Sequence, residues 1–248
     1  MNPNFLNGKT AFVTGGSRGI GASIVKRLVK DGAAVAFTYA NSNEKANELV
    51  KIIEADGGKA LAIKANSENT DSIKSAISET ISTFGHLNIL VNNAGIFEAK
   101  PYEQFSTEEF DRMVAVNIRA VFTAVQEAGP KMQNGDRIIN IGSVHADTTG
   151  FPGLSLYGMS KAAVSGMTRG IARDLAPQGV TVNNIQPGPV DTEMNPAEGA
   201  MATVLKEAIA LGHYGTSNDI ASLVSFLSGP EASYITGASL DINGGFMI

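Results

Sequence analysis

No cysteine occurs in the 248 residues, which excludes a disulfide framework and a thiolate metal site and gives secretion no support. The three histidines, His86, His145 and His213, are scattered, and no H-E-x-x-H or similar ligand spacing appears, so no metal is expected. No apolar run approaches the roughly 20 residues of a membrane span. Met1-Asn-Pro-Asn leads directly into a folded-looking segment without a signal-peptide pattern, so a cytoplasmic protein with no membrane partner is expected. Linkers rich in Pro, Ser or Gly, low-complexity tracts, charge runs and solenoid repeats are also missing, and residues 1–248 are read as one domain. The net charge of -5 argues against nucleic acid, whose phosphates call for a surplus of Lys and Arg.

What is present is an alternation of strand and helix patterns. Thr10 to Thr14 reads as a short buried strand that runs into G-G-S-R-G-I-G, Gly15 to Gly21, and then into a helix carrying Ile24, Val25, Leu28 and Val29. Ala34 to Tyr39 reads as the second strand, Glu44 to Ala55 as a helix and Ala60 to Ile63 as the third strand. Asp71 is read as the N-cap of a helix bearing Ile73, Ile77 and Ile81, which gives way at Gly85 to a fourth strand, Ile89 to Val91. Ser106 to Glu109 opens a long helix with acids in its first turn. Asn117 lies inside that helix, where its amide competes for backbone groups, so a kink or a polar role is expected there. Arg137 to Ile141 is the fifth strand, a helix stopping at Pro177 follows, and Val180 to Ile185 is the sixth, running into Pro187-Gly188-Pro189.

The alternation predicts a parallel sheet with right-handed crossovers. A closed (β/α)8 barrel alternates too, but a phosphate-cradling turn after the first strand favours an open, doubly wound sheet. The expectation is an α/β single-domain Rossmann fold with a seven-stranded parallel sheet flanked by helices, binding its ligand at the carboxyl ends of the strands.

The chemistry-bearing residues fall at those ends. Gly15, Gly19 and Gly21 allow tight turning before a helix N-terminus that suits a pyrophosphate. Small residues in Asn92 to Gly95 admit a ligand to the backbone, and the Asn amides can bind it or tie loops together. Ser143 closes the fifth strand. Tyr157 and Lys161 stand one helical turn apart on one face, where a cation beside a phenol is expected to pull its pKa down from about 10. No acid follows the second strand until Glu44; Tyr39, Ala40, Asn41 and Ser42 stand there instead, and Arg18 lies in the glycine-rich loop. A carboxylate at that strand end would select NAD, whereas a guanidinium suits the 2′-phosphate of NADPH.

T-G-G-S-R-G-I-G at 14–21, N-N-A-G at 92–95, Asn117, Ser143, Y-G-M-S-K at 157–161, and P-G at 187–188 followed by Thr192 together resemble the short-chain dehydrogenase/reductase family, most closely its 3-oxoacyl-carrier-protein-reductase-like members. The likeness covers essentially the whole chain. It implies an NADPH-dependent oxidoreductase that reduces a ketone to a secondary alcohol by hydride transfer, without a metal. Tyr157 would be the general acid, or the base in reverse; Lys161 would hold the nicotinamide ribose and lower the Tyr pKa. Ser143 would bind the substrate carbonyl, and Asn117 would hold a water leading protons to Lys161.

The resemblance further implies cofactor contacts from Gly15, Ser17, Arg18, Gly19, Ile20 and Gly21, and from Tyr39, Asn41 and Ser42. Asn66 and Ser67, then Asn93, Ala94 and Gly95, and finally Pro187, Gly188, Val190 and Thr192 complete the cleft with Tyr157 and Lys161. Asn66 stands where family members often carry Asp, and Asn243-Gly244-Gly245 replaces the usual D-G-G. Phe97, His145, Phe151 and Met194 are candidates to line the substrate pocket, His145 being equally readable as a plain loop residue. A substrate lid is expected near 188–212. The helices from Ser106 and from Leu154 present small-residue faces like those of subunit contacts in the family, which implies a homotetramer. G-G-S-R-G-I-G-A, F-T-Y-A and Q-P-G-P-V-D-T also resemble a bacterial subgroup of cyclic-di-GMP-binding biofilm dispersal mediators, so a regulatory binder on the same fold is the alternative. The complete Asn, Ser, Tyr and Lys set favours the enzyme.

Overall fold

Side chains of the central strands alternate between two apolar cores, one on each face of a single sheet. Ala11 and Val13, Val35 and Phe37, and Ile89 and Val91 enter one core, whereas Phe12, Ala36 and Leu90 between them enter the other. Full burial on both faces explains why these strands read as continuous apolar runs. The structure, a computed structural model, describes residues 4–246; Met1–Pro3, where no leader was expected, and Met247–Ile248 lie outside the described residues.

The strands are β1 (Thr10–Val13), β2 (Ala34–Tyr39), β3 (Ala60–Lys64), β4 (Ile89–Asn92), β5 (Arg137–Ile141), β6 (Thr181–Pro187) and β7 (Ser239–Ile242). They form one seven-stranded sheet in the order β3-β2-β1-β4-β5-β6-β7, and every pairing is parallel. The expected doubly wound Rossmann architecture is therefore present. Helices α1 (Gly19–Lys30) and α2 (Asn43–Ala55) cover one face, joined there by α8 (Ser217–Ser228), while α3 (Thr70–Phe84), α5 (Ala120–Ala128) and α6 (Ser155–Leu175) cover the other. Helix α4 (Thr107–Val114) precedes α5, and α7 (Ala202–Ala208) lies between β6 and α8. The winding reverses between β1 and β4, which opens a crevice at their carboxyl ends.

Three local readings can be compared directly. Ser106 caps α4 through a full capping box with Glu109, as the acid-rich start foretold. Asn69, not Asp71, caps α3: its side chain accepts from Ser72 N at 3.0 Å, while Asp71 sits inside the first turn, where its charge complements the helix dipole. Between α4 and α5 the chain makes a π turn, Ala115–Arg119, so the irregularity expected at Asn117 is one extra residue in the helical winding.

Candidate active site

The glycine-rich turn is built by close approach. Gly15 and Gly19 have φ of 67° and 54°, the left-handed region that glycine enters without strain. A Cβ on Gly21 would stand 2.2 Å from the Gly15 carbonyl oxygen and 2.6 Å from Asn93 Nδ2, so any side chain there would push the turn apart. Two threonines pin the same turn. Gly15 N donates to Thr38 Oγ1 at 3.0 Å, and Thr14 Oγ1 accepts from both Asn93 N and Ala94 N at 2.9 Å. Asn93 Nδ2 donates to the carbonyls of Thr14 and Gly15, at 2.9 and 3.1 Å. Of the two roles open to the Asn amides, Asn93 thus ties loops together. Ser17 is half-buried in the turn, Arg18 is exposed at the N-cap of α1, and the Ile20 side chain packs on the core.

The second strand ends where the sequence placed it. Tyr39 Oη donates to Asn43 Oδ1 at 2.8 Å, with Asn41 exposed and Ser42 half-buried just beyond. Asn66 Oδ1 accepts from Glu68 N at 3.0 Å and so closes its own turn, keeping one lone pair for a ligand beside Ser67. At the end of β6, Pro187 and Val190 are buried, Gly188 N donates to Ile242 O, and Thr192 Oγ1 accepts from Asn195 N in a local turn.

Next to this cleft, β5 and α6 bring Ser143, Tyr157 and Lys161 together. Ser143 is buried at the strand's end, its Oγ accepting from His145 N at 3.2 Å. The Lys161 ammonium is buried, lies 5.6 Å from the centre of the Tyr157 ring and donates to the Ile141 carbonyl at 3.0 Å. Its remaining protons face the Gly95 region, where a Cβ would come within 3.6 Å of Nζ.

The expected fall in the Tyr157 pKa is not what this surrounding produces. Burial disfavours the phenolate and raises Tyr157 above its ordinary 10, with the facing Ser143 hydroxyl only partly offsetting it. The same burial lowers Lys161 to about 8. Desolvation, which penalises each charged form, is the dominant cause at both residues.

Asn117 is close by, and its amide ties two elements together. Its Oδ1 accepts from Ile96 N at 2.9 Å, and its Nδ2 donates towards Ile96 O and Ser160 Oγ, each at 3.0 Å. Ser160 Oγ in turn donates to the Tyr157 carbonyl at 2.7 Å. The side chain therefore locks the loop after β4 to helix α6, and its Oδ1 keeps one lone pair, on the Gly95 side that Lys161 Nζ also faces.

Three of the four pocket candidates join Tyr157 and Phe246 in one run of ring contacts. Phe97 meets the phenol edge-on at 4.9 Å between ring centres, and His145 does so at 6.2 Å. His145 is oriented beside Tyr157 by a bond between Nδ1 and Thr148 O, and it also packs on Phe246 at 5.9 Å. Phe151 reaches the site through Phe246, at 6.3 Å. Met194 is not drawn in; it is 58% exposed at the outer edge of the segment between β6 and α7. Over 188–212 the chain is irregular up to Met201 and then forms α7, whose Ala202 and neighbouring Ile209 pack with Phe246 and Tyr214.

Sequence reading passed over Phe246, Thr14, Thr38 and Ser160. The two threonines sit at strand ends flanking the turn and could have been suspected from that position. Phe246 gives no local signal, since it follows the Gly244-Gly245 turn and reaches the pocket by folding back from the far edge of the sheet.

Comparison with known proteins agrees with this geometry. The profile of the family described as Enoyl-(Acyl carrier protein) reductase matches residues 15–247. The "Cyclic-di-GMP-binding biofilm dispersal mediator protein" of Escherichia coli is 43% identical over 241 residues, covering 97% of this chain and 98% of that protein. The 3-oxoacyl-(acyl-carrier-protein) reductase of Staphylococcus aureus is 42% identical over 243 residues, covering 96% and 97%. Among solved structures, a short chain dehydrogenase from Burkholderia cenocepacia in complex with NADP has 48% identity and a TM-score of 0.96, covering 98% of this chain and 99% of that one.

Proposed function

For a chain that belongs to the short-chain dehydrogenase/reductase family, we propose reduction of a ketone to a secondary alcohol with NADPH, Tyr157 delivering the proton. The observation that carries this reading is the convergence of Tyr157, Ser143 and Lys161 at one end of the sheet. A phenol raised by burial keeps its proton at neutral pH and can pass it to a carbonyl oxygen as negative charge develops there. Ser143 would hydrogen-bond the same oxygen. Lys161, at about 8, is mostly cationic at neutral pH, and its charge favours the phenolate left behind. Asn117 holds Ile96 and Ser160 in place, and the lone pair left on its Oδ1 would accept from a water leading towards Lys161.

The residues fit a dinucleotide. The glycine-rich turn has no room for a Cβ at Gly16 or Gly21 and opens the N-terminus of α1 to a pyrophosphate. Lys161 keeps ammonium protons for a ribose, Asn66 and Ser67 would meet the adenine, and Arg18 the 2′-phosphate. When bound, the cofactor supplies the hydride; the protein orients it and provides the proton. The absence of a carboxylate at the end of β2 and the NADP complex of the Burkholderia relative both favour NADPH over NADH.

The pocket wall of Phe97, His145, Phe151 and Phe246 is apolar apart from the groups around Tyr157, which suits a ketone with an apolar substituent, either a 3-oxoacyl thioester or a broader range of carbonyls. The Staphylococcus relative supports the former. Phe110, Phe122 and Met159 are exposed on α4, α5 and α6, and side chains added at Gly166 or Gly170 of α6 would meet little or nothing, which favours a homotetramer formed through these helices. We further read 1–248 as one domain with its lid near 188–212, working in the cytoplasm.

Binding of cyclic-di-GMP is the second reading, favoured by the Escherichia coli relative. The deciding experiment follows NADPH consumption with acetoacetyl thioester and a panel of ketones and diketones, with cyclic-di-GMP titrated by calorimetry alongside. Turnover of any ketone supports the enzyme. No turnover together with tight cyclic-di-GMP binding would replace it with the regulatory protein.

A further inference from the structure

Immediately after Thr192, on the segment leaving β6, Glu193 lies between two cations from separate parts of the chain. Arg18 Nη1, at the N-cap of α1, is 3.3 Å from its Oε2, and Lys45 Nζ, in the first turn of α2, bonds its Oε1. Arg18 belongs to the turn after β1, and Lys45 follows the end of β2. Together they frame the gap between those strand ends, where an adenosine 2′-phosphate would project. A carboxylate and a phosphate ask for the same donors, so Glu193 competes with a phosphate for both cations. The two cations, Lys45 foremost, also hold the Glu193 carboxyl below its ordinary range. A second contact shows that the segment crosses the turn itself: the Thr192 methyl lies 3.7 Å from where a Cβ on Gly19 would stand.

The geometry points to Glu193 as an internal stand-in for the 2′-phosphate, latching the start of the lid across the glycine-rich turn, and to Lys45 as a second residue that reads that phosphate once Glu193 lets go. This rests on the NADPH reading above. A nucleotide bearing the 2′-phosphate must displace Glu193, whose charge would otherwise repel it, and so frees the lid; one lacking the phosphate leaves the latch closed. Cofactor identity and lid position are thereby coupled. The latch must be weak for a ligand to open it, and it is: all three side chains are about half exposed, where solvent screens an ion pair.

The test uses adenosine 2′,5′-bisphosphate and 5′-AMP as probes, because both occupy only the adenine half and make no contact that could hold the lid from the nicotinamide side. Calorimetry on Glu193→Gln, an exposed substitution that leaves packing alone, should show the bisphosphate bound about two- to tenfold more tightly than by the wild type, with 5′-AMP unchanged. Lys45→Ala should weaken the bisphosphate by a similar factor and spare 5′-AMP. Hydrogen exchange of amides in 190–199 should speed up when wild-type protein is saturated with the bisphosphate, and not with 5′-AMP. A wild-type protein that binds both probes alike overturns the cofactor reading and the latch with it. Preference for the bisphosphate with Glu193→Gln no tighter, or with the lid amides unmoved, overturns the latch alone; indifference of Lys45→Ala removes Lys45 from phosphate recognition.

Discussion

Lys161→Met should stabilise the protein at neutral pH while removing its chemistry. Burial lowers the ammonium from 10.5 to about 8, and at about 1.4 kcal/mol for each pKa unit the charged form is held in the fold at a cost of about 3 kcal/mol. The substitution gives up the bond from Nζ to the Ile141 carbonyl, at 3.0 Å, which contributes about 1 kcal/mol. Methionine follows a similar unbranched path through the same space, so little is lost in packing. The expected net gain is about 2 kcal/mol near pH 7.

The sign with pH follows from proton counting. Between about 8 and 10.5 the unfolded chain holds a proton on Lys161 that the folded chain has released, so wild-type stability rises with pH across that window. The variant lacks this slope, and its advantage should shrink steadily as pH approaches 10.5. Urea unfolding of both proteins at one fixed concentration, near pH 7 and near pH 9.5, reads the difference without an oligomerisation offset. A variant less stable than wild type near pH 7, or a difference that ignores pH, would refute the claim that Lys161 is a desolvated ammonium.

Tyr157→Phe should lower turnover by about 10²- to 10⁴-fold while fluorescence titration shows NADPH binding intact, because only one hydroxyl is removed; near wild-type turnover would end the proton-donor assignment. The steady-state rate of ketone reduction should fall as pH rises past about 8, where Lys161 loses its charge, and a rate flat to pH 10 would show that the charge is not used. Gly21→Ala would bring a Cβ to 2.2 Å from a backbone oxygen that Asn93 holds in place, so a loss of about 1–3 kcal/mol in urea unfolding and weaker NADPH binding are expected. An unchanged midpoint would mean the turn yields freely. Light scattering at micromolar concentration should report a tetramer, and a monomer would leave Phe110, Phe122 and Met159 without the proposed partner surface.

Most local structure was legible in the chain, though the N-cap at Asn69 and the strand β7 were not. Alternating apolar runs and turn glycines located six of the seven strands within a residue or two at each end, and the acid-rich start at Ser106 announced its capping box, because these signals act over a few bonds. The pairing of Tyr157 with Lys161 on one helix face and the placement of Ser143 at a strand end followed from periodicity and topology alone. Burial and long-range contact were not legible. Whether Lys161 lowers the Tyr157 pKa depends on how deeply both groups are desolvated, and that is set by β5, the loop after β4 and the packed aromatics, not by their spacing of one turn. A kink or a polar role was legible at Asn117, yet only the fold shows its amide tying Ile96 to Ser160. Phe246 enters the pocket wall from the end of the described chain, and Glu193 reaches Arg18 from 175 residues away. The sequence determines which way each segment winds, because backbone preference and the period of burial are properties of neighbours. Tertiary structure decides which charges meet and how much water they keep, because those depend on residues that neighbour each other only in space.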